Sequence, residues 1–331
     1  MTNRISRLFL TGGSGFVGRN LIRHYVAQGI EVVALVRSDA AETQVRKAGA
    51  TPLRASLLAA DLATLMQGCD LLVHAAADTA HGYASPAQWQ VNVTATQHLF
   101  AAAKLAGIPR AVHISTESVL LNGQPLTNAS EDHPYPRHFA GAYSASKARA
   151  EQAVLALASD EFVVTIVRPR FVWGRDDSTA LPQLVAAVQS GKFAWISGGH
   201  YLTSTTHIDN LCAGVQHAAS RGANRGIYFI TDGEPQPFRD FVTRLLATQG
   251  ITPPNKQVPR WLIRVLAWCG DCAFHLTGGR IQSPLNQQVY ATSAVEVTLN
   301  IDRARKELGY QPAVTTQQGM AELEQRAKMR P

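Results

Sequence analysis

The chain has 331 residues, of which 46% are hydrophobic and 17% charged, and its formal net charge is +7. This composition is that of an ordinary folded protein long enough for two domains, which excludes a disordered or fibrous chain. No uninterrupted apolar run approaches the ~18 residues that a membrane span needs.

Charge and cysteine content bear on partners and compartment. Basic residues are scattered along the chain, and no nucleic-acid-binding module is recognisable, so nucleic acid is not an expected partner. Four cysteines do not make a disulfide framework in a chain of this size, and no apolar leader precedes the first strand. We therefore expect a cytoplasmic protein with a small-molecule substrate and no membrane span.

The first predicted unit is a strand, a glycine-rich turn and a helix. An apolar run at 8–10 leads into Thr11-Gly-Gly-Ser-Gly-Phe-Val-Gly18, and a helical pattern then continues to Gln28. In such a unit the glycines permit a tight turn, close approach of a pyrophosphate and close packing of the helix, whose N-terminus attracts phosphate. The turn fits two registers, one starting at Gly12 and one at Gly13. The expected cofactor contacts are Gly12, Gly15, Phe16, Val17 and Gly18.

The second predicted strand, residues 31–36, is followed by Arg37 and Ser38. About 20 residues beyond the glycines, an acidic residue binds the ribose hydroxyls of NAD, whereas an arginine binds the 2′-phosphate of NADP. Because a guanidinium stands there, we expect NADP, with Arg37 and Ser38 in contact with it. In the alternative, Arg37 is a solvated loop residue, Asp39 binds the ribose and the cofactor is NAD.

Strand and helix patterns alternate through the rest of the first half. Strands are predicted at 51–54, 70–77, 111–115 and 163–167, and helices at 41–48, 57–67, 88–106 and 143–158. This alternation indicates an α/β fold with a Rossmann-type doubly wound parallel sheet. The strand at 70–77 ends in small residues, among them Ala75 and Ala76, which leave room for a ligand.

The second half is less regular, with frequent glycines, prolines and aromatic residues. We expect an NADP-binding Rossmann domain at 1–172 and a smaller, mainly substrate-binding part at 173–331, with a strand near 226–231 returning to the main sheet. The apolar segment 259–276 has three interpretations: a helix packed on the second part, a lid over an apolar pocket, or a surface that rests on a membrane. Cys269 and Cys272 lack a second ligand pair, so we expect core cysteines and no metal site.

Tyr143 and Lys147 stand four residues apart at the start of a predicted helix, so their side chains share one face. A neighbouring ammonium favours the ionised form of a phenol, whose ordinary pKa is about 10, and moves that pKa toward neutrality. Such a pair can exchange a proton with an oxygen whose carbon exchanges a hydride. Ser115 or Thr116, at the end of the strand at 111–115, can present a hydroxyl to the same oxygen. Strand alternation points the two hydroxyls to opposite faces.

Together these motifs resemble the extended short-chain dehydrogenase/reductase family over nearly the whole chain. The resemblance rests on residues 11–18, 74–77, 92, 115–116, 143–147, 168–169, 207–210 and 308–312. It favours the glycine register that starts at Gly12. It also implies that Tyr143 is the catalytic acid/base, that Lys147 binds the nicotinamide ribose and tunes Tyr143, and that Thr116 binds the reacting oxygen.

The resemblance further implies a supporting position for Asn92 near the active centre and a cofactor contact for Pro169. The chain departs from the family pattern at two places. Ser56 stands where relatives often carry an aspartate that contacts adenine. Residues 202–206 lack the arginine that binds the diphosphate in enzymes acting on nucleotide-sugars.

The missing arginine favours the branch of 3β-hydroxysteroid dehydrogenases and dihydroflavonol-type reductases. The expected reaction is hydride transfer between NADP(H) and a secondary alcohol or ketone of an apolar molecule that is steroid-, flavonol- or keto-acyl-like. One alternative is an NAD-dependent nucleotide-sugar epimerase or dehydratase. Another is a dinucleotide-binding sensor without catalysis, which would not need Tyr143, Lys147 and Thr116 together. A homodimer is compatible with the sequence.

Overall fold

Residues 5–329, which the computed structural model describes, form fifteen strands. In chain order they are β1 (Arg7–Thr11), β2 (Glu31–Val36), β3 (Thr51–Arg54), β4 (Leu71–His74), β5 (Arg110–Ile114), β6 (Leu126–Ala129), β7 (Val163–Pro169), β8 (Val172–Trp173), β9 (Trp195–Ile196), β10 (Leu202–Thr203), β11 (Thr206–His207), β12 (Ile227–Ile230), β13 (Gln236–Pro237), β14 (Gln257–Val258) and β15 (Val297–Leu299).

Twelve α-helices connect or cover these strands. They are α1 (Phe16–Val26), α2 (Asp39–Ala48), α3 (Leu62–Leu65), α4 (Pro86–Trp89), α5 (Thr96–Leu105), α6 (Ala142–Leu157), α7 (Ala180–Gln189), α8 (Ile208–Arg221), α9 (Phe238–Ala247), α10 (Arg260–Leu276), α11 (Gln287–Ser293) and α12 (Thr316–Lys328). A π-helical segment, Gln90–Ala95, joins α4 to α5.

The main sheet has seven parallel strands in the order β12-β7-β5-β4-β1-β2-β3. β1 pairs with β2 on one side and with β4 on the other, so the strand order reverses at β1. Ligands of such sheets bind at the carboxyl ends of the strands beside the reversal, which here are the ends of β1 and β4. The predicted doubly wound sheet is confirmed. The strand expected near 226–231 is β12, which pairs with β7 at the edge.

Apolar layers cover both faces of this sheet. Leu8 and Leu10 point into one layer with side chains of α1 and α8, whereas Phe9 points into the other with side chains of α5. This period-2 alternation is what buries both faces of a strand. A third cluster in the second part contains Trp173, Trp195 and Phe241.

A smaller sheet, in the order β13-β10-β15-β6, lies in the second part of the fold. It includes β6 from the first half of the sequence, and the main sheet includes β12 from the second half. The chain therefore crosses between the two parts more than once.

Two predicted helices differ in extent from those observed. The helix expected at 57–67 is reduced to α3, because the Ser56 hydroxyl accepts the N–H of Leu58 and forms a local turn that competes with the helix. The helix expected at 88–106 starts earlier, at Pro86, and contains the π-helical segment around Asn92. Such segments often occur at functional sites.

The segment 259–276 forms the helix α10. The expectation that both of its cysteines lie in the core is wrong, because Cys269 is exposed and Cys272 is partly exposed. Their spacing of three residues places both on the outer side of the helix. None of the helices formed by residues 5–329 combines the length and apolar character needed to cross a membrane.

Candidate active site

The glycine turn lies at the carboxyl end of β1, where the strand order reverses. Gly12 has a φ of +72°, and a Cβ there would lie 2.6 Å from the amide nitrogen of Ala76 and 2.7 Å from the carbonyl carbon of Ala75. A Cβ on Gly18 would lie 2.0 Å from the carbonyl oxygen of Gly12. Only glycine fits either position. Backbone contacts therefore join β1, the end of β4 and α1, in agreement with the register that starts at Gly12.

The N-terminus of α1 is open to a ligand. Gly15 precedes the helix without a side-chain cap, and the first turn carries no acidic residue. The first amides, including those of Phe16 and Val17, thus keep the partial positive charge that suits a pyrophosphate. Gly15 is exposed, and a Cβ there would meet only the Gly12 oxygen, at 3.3 Å. These residues fit a dinucleotide phosphate group.

An open cavity of about 250 Å³ lies beside the carboxyl ends of β2 and β3, with Arg37 and Arg54 in its lining. Arg54 pairs with the exposed Asp39. The Ser38 hydroxyl caps α2 by accepting the N–H of Ala41 at 3.3 Å. Arg54 was not among the residues expected from the sequence, although it ends β3 beside Val36 of β2 and so stands next to Arg37.

Tyr143 is buried at the start of α6, with 7% of its surface exposed. Its ring centroid lies 5.0 Å from that of His81, which follows β4. Burial raises the pKa of the Tyr143 phenol, and the nearby Glu117 carboxylate raises it further, whereas a hydrogen bond with Thr116 lowers it. Tyr143 therefore carries its proton at neutral pH, as a donor to a carbonyl oxygen must. The expected shift of this pKa toward neutrality by Lys147 is not found, because burial and Glu117 dominate.

Of the two hydroxyls at the end of β5, that of Thr116 is the one whose proximity lowers the pKa of Tyr143. Thr116 also donates to Oε2 of Glu117 at 2.8 Å and accepts the N–H of Ser118 at 3.2 Å. The Ser115 hydroxyl is buried and has no hydrogen-bond partner within residues 5–329. The structure thus brings Thr116, rather than Ser115, to Tyr143.

A buried ion pair involves Glu117, the residue that follows Thr116. Oε1 of Glu117 lies 2.5 Å from Nη1 of Arg170, and both side chains are almost fully buried. Arg170 also donates from Nε to the Thr203 hydroxyl at 3.1 Å and from Nη2 to the Thr292 carbonyl at 3.3 Å. The pair therefore fixes the Thr116 strand end to the second part of the fold. The only indication of this ion pair in the sequence is that Glu117 follows the motif residues 115–116 and Arg170 follows 168–169.

Lys147 lies one turn beyond Tyr143 and is also buried. Its Nζ donates to the Ile114 carbonyl at 2.9 Å and lies 3.3 Å from Nε2 of His113. Burial, with Lys147 close by, holds the pKa of His113 well below its ordinary value, so His113 is neutral and its Nε2 can accept. Burial lowers the pKa of Lys147 to about 8, an effect that the Glu151 carboxylate opposes. No role had been expected for His113.

For the ketone reduction that the sequence predicts, we expect kcat/KM to fall as the pH rises through about 8, the pKa of Lys147. Above that pH Lys147 loses its proton, and the phenolate that Tyr143 leaves on protonating the substrate loses its neighbouring cation. The pH–rate profile at saturating cofactor measures this. In a Lys147→Arg variant the fall should move upward, because arginine keeps its charge. An unchanged profile in that variant would contradict the assignment.

Asn92 joins the loop after β4 to α6. Its Oδ1 accepts the N–H of Asp78 at 2.8 Å, and its Nδ2 donates to the Asp78 carbonyl at 2.9 Å and to the Ser146 hydroxyl at 3.1 Å. Ser146 precedes Lys147 on α6, so Asn92 contacts the neighbour of Lys147, and its supporting role stays a prediction. Pro169 ends β7 at the same edge of the sheet.

Comparison of the sequence with known proteins identifies the family. Residues 9–260 match the model of the 3-beta hydroxysteroid dehydrogenase/isomerase family. The chain belongs to this family. A 4-hydroxy-2-methyl-3-oxo-4-farnesyl-3,4-dihydroquinoline-1-oxide ketoreductase of Stigmatella aurantiaca is 45% identical over 321 residues, 96% of each chain. A decarboxylating sterol-4-alpha-carboxylate 3-dehydrogenase of Dictyostelium discoideum is 32% identical over 329 residues, 96% of this chain and 100% of the other.

Among solved structures, the dTDP-glucose 4,6-dehydratase of Streptomyces venezuelae with NAD bound is similar in fold. Its TM-score is 0.75 at 22% identity, and the match covers 98% of this chain and 97% of that one. The 3-beta hydroxysteroid dehydrogenase family member described here is thus an NAD(P)-dependent dehydrogenase/reductase of the extended short-chain type, as its motifs predicted. Its cofactor is a nicotinamide dinucleotide.

Proposed function

We propose that this family member interconverts a ketone and a secondary alcohol on a largely apolar small molecule, with NADP(H) as cofactor. The observation that carries the proposal is the buried, protonated Tyr143, with Thr116 beside it and Lys147 one helical turn away. Two relatives support an apolar substrate, because the names of their substrates contain a farnesyl group and a sterol.

In the reducing direction, Tyr143 gives its proton to the carbonyl oxygen. The Thr116 hydroxyl, which donates to Glu117 in this structure, turns to donate to that oxygen. The nicotinamide, when bound, supplies the hydride that the carbonyl carbon receives. Lys147 stabilises the phenolate left on Tyr143. In the oxidising direction the steps run in reverse, so Tyr143 must first lose its proton before it accepts that of the alcohol. The Glu117–Arg170 pair keeps the residue that follows Thr116 in place throughout.

A substrate panel tests this function. We expect NADPH oxidation with long-chain 3-oxo acyl compounds, steroid ketones, dihydroflavonols or prenylated quinolines, and none with small hydrophilic ketones. UDP-sugars serve as a second arm. A protein that turned over a UDP-sugar without net NADPH consumption would instead be an epimerase or dehydratase. Purified protein that bound NADPH but turned over neither class would favour a sensor.

The NADP preference rests on the two guanidiniums beside the cavity at β2 and β3. We expect Arg37→Ala to weaken NADPH binding by about tenfold or more, since it removes a charge-assisted hydrogen bond to phosphate, and to change NADH binding little. Fluorescence titration measures both affinities. Arg46→Ala is the matched control, because Arg46 lies exposed on α2 in a pair with Glu42. Equal losses for NADPH and NADH would overturn the preference.

A further inference from the structure

The outer face of α10 is apolar and exposed. Trp261 is 67% exposed, Val265 47%, Trp268 61% and Leu276 86%. Their spacing of four, three and eight residues places all four on one side of the helix. Ile281, just beyond the helix, is 54% exposed. A contiguous apolar surface of this kind, rimmed by polar residues, is typical of a protein–protein or membrane contact rather than of a free surface.

The opposite face of α10 fixes the orientation of the helix. Ala267 and Gly270 are buried there, and a Cβ on Gly270 would lie 2.6 Å from the Leu285 carbonyl oxygen. Phe274 stacks on Tyr83 with ring centroids 4.0 Å apart. Since the inner face is held by these contacts, the helix cannot rotate to bury its tryptophans without losing them.

The sequence around α10 carries a net positive charge. Residues 255–285 contain four lysine or arginine residues and a single acidic residue, Asp271. Lys256, Arg264 and Arg280 are exposed, whereas Asp271 is partly buried and accepts the N–H of Gln287. A basic rim complements anionic lipid headgroups. The same rim would repel a second copy of this surface across a two-fold axis.

Two exposed tryptophans also favour a lipid surface. An indole ring with an apolar body and a polar N–H is suited to the boundary between acyl chains and headgroups. The helix has 17 residues and a packed inner face, so it can lie in the plane of a membrane surface but not cross it.

The helix is connected to the active site through one loop. Tyr83, which stacks on Phe274, lies two residues from His81, whose ring is 5.0 Å from that of Tyr143. The Asn286 amide, at the start of α11, donates to the His81 carbonyl at 2.8 Å. The outer face of α10 and the catalytic phenol are thus separated by one layer of side chains and a short loop.

We propose that the outer face of α10 docks on the surface of an anionic lipid bilayer, with Trp261 and Trp268 at headgroup level. Docking there brings the active-site loop to the membrane, from which an apolar substrate can enter. The docking rests on the α10 surface alone, and only the delivery of substrate rests on the proposed function.

Vesicle co-sedimentation of the full chain tests the docking. We expect binding to vesicles of phosphatidylglycerol and phosphatidylcholine, and weaker binding to phosphatidylcholine alone. A Trp261→Ser/Trp268→Ser double variant should bind about tenfold or more weakly, because both interfacial anchors are removed. An Arg264→Glu/Arg280→Glu variant should lose the preference for anionic vesicles. The matched control is Trp89→Ser, at a 48% exposed tryptophan of α4, which should bind as the wild type does.

Two further measurements separate the outcomes. Thermal unfolding and NADPH oxidation with any ketone that is turned over in solution should be unchanged in the double tryptophan variant, which shows that the fold and the catalytic centre are intact. Absence of vesicle binding, or equal binding by wild type and double variant, overturns the docking. Sedimentation velocity that shows a dimer lost in the double variant, without vesicle binding, overturns it in favour of a second copy. None of these readouts depends on the natural substrate.

Discussion

A Tyr143→Phe variant is expected to lose turnover by about 10²- to 10⁴-fold, the usual contribution of a positioned acid or base. Phenylalanine keeps the buried ring beside His81 and removes only the hydroxyl that delivers the proton. The Thr116 hydroxyl keeps its bond to Glu117, so the strand end remains ordered. Dinucleotide affinity should therefore stay close to that of the wild type.

Tyr25→Phe is the matched control for this variant. Tyr25 is fully buried in α1, and its hydroxyl has no hydrogen-bond partner in the part of the chain that the structure describes. Its replacement should leave both turnover and thermal stability unchanged. Steady-state rates and NADPH titrations of the two variants measure the contrast. Turnover of Tyr143→Phe above a tenth of the wild-type rate would contradict its role as the acid.

Gly18→Ala is expected to abolish dinucleotide binding and to lower the free energy of unfolding by about 3 kcal/mol or more, the upper range for overpacking. The added Cβ would lie 2.0 Å from the Gly12 carbonyl oxygen and 2.6 Å from the Gly13 Cα. Both are backbone atoms, so no side-chain rotation relieves the clash. Relief requires α1 to move away from the end of β1, and this movement displaces the amides expected to bind phosphate.

Gly15→Ala is expected to separate the effect on dinucleotide binding from the effect on stability. Its φ of −75° suits alanine, and the nearest atom to an added Cβ lies 3.3 Å away. Stability should fall far less than in Gly18→Ala, because the Gly12 oxygen need move only slightly. The methyl group nevertheless projects where a pyrophosphate would approach, so affinity for NADPH should fall. Denaturant unfolding and fluorescence titration separate the two quantities. Normal NADPH binding by Gly15→Ala would show that the phosphates do not pass this turn.

Much of the fold could be predicted because its signals are local. The glycine turn, the apolar strands and the helical periods each lie within a few residues, and their alternation leaves little choice but a parallel sheet. Tyr143 and Lys147 were identifiable for the same reason, since helical spacing alone places them on one face.

The partners of these residues are distant in sequence and gave no such signal. Glu117 and Arg170 are 53 residues apart, and His113 and Lys147 are 34 apart. Only the packing of α6 and of the second part against β5 brings them together. Periodicity likewise groups the apolar residues of α10 into two faces, but it does not indicate which face turns outward. Both faces are apolar, and Gly270 decides between them by its close contact with Leu285.

The main sheet is complete only after β12 has been synthesised, because β12 forms its edge beside β7. Until residue 230 has left the ribosome, β7 has no neighbouring strand on its outer edge. The sheet face that Leu211 and Val215 of α8 cover in the folded protein is exposed to water until α8 packs on it. An unpaired edge of this kind invites pairing with other chains. A fragment that stops at residue 172 should therefore aggregate rather than form a working nucleotide-binding unit, and a fusion or truncation should keep the chain intact beyond β12.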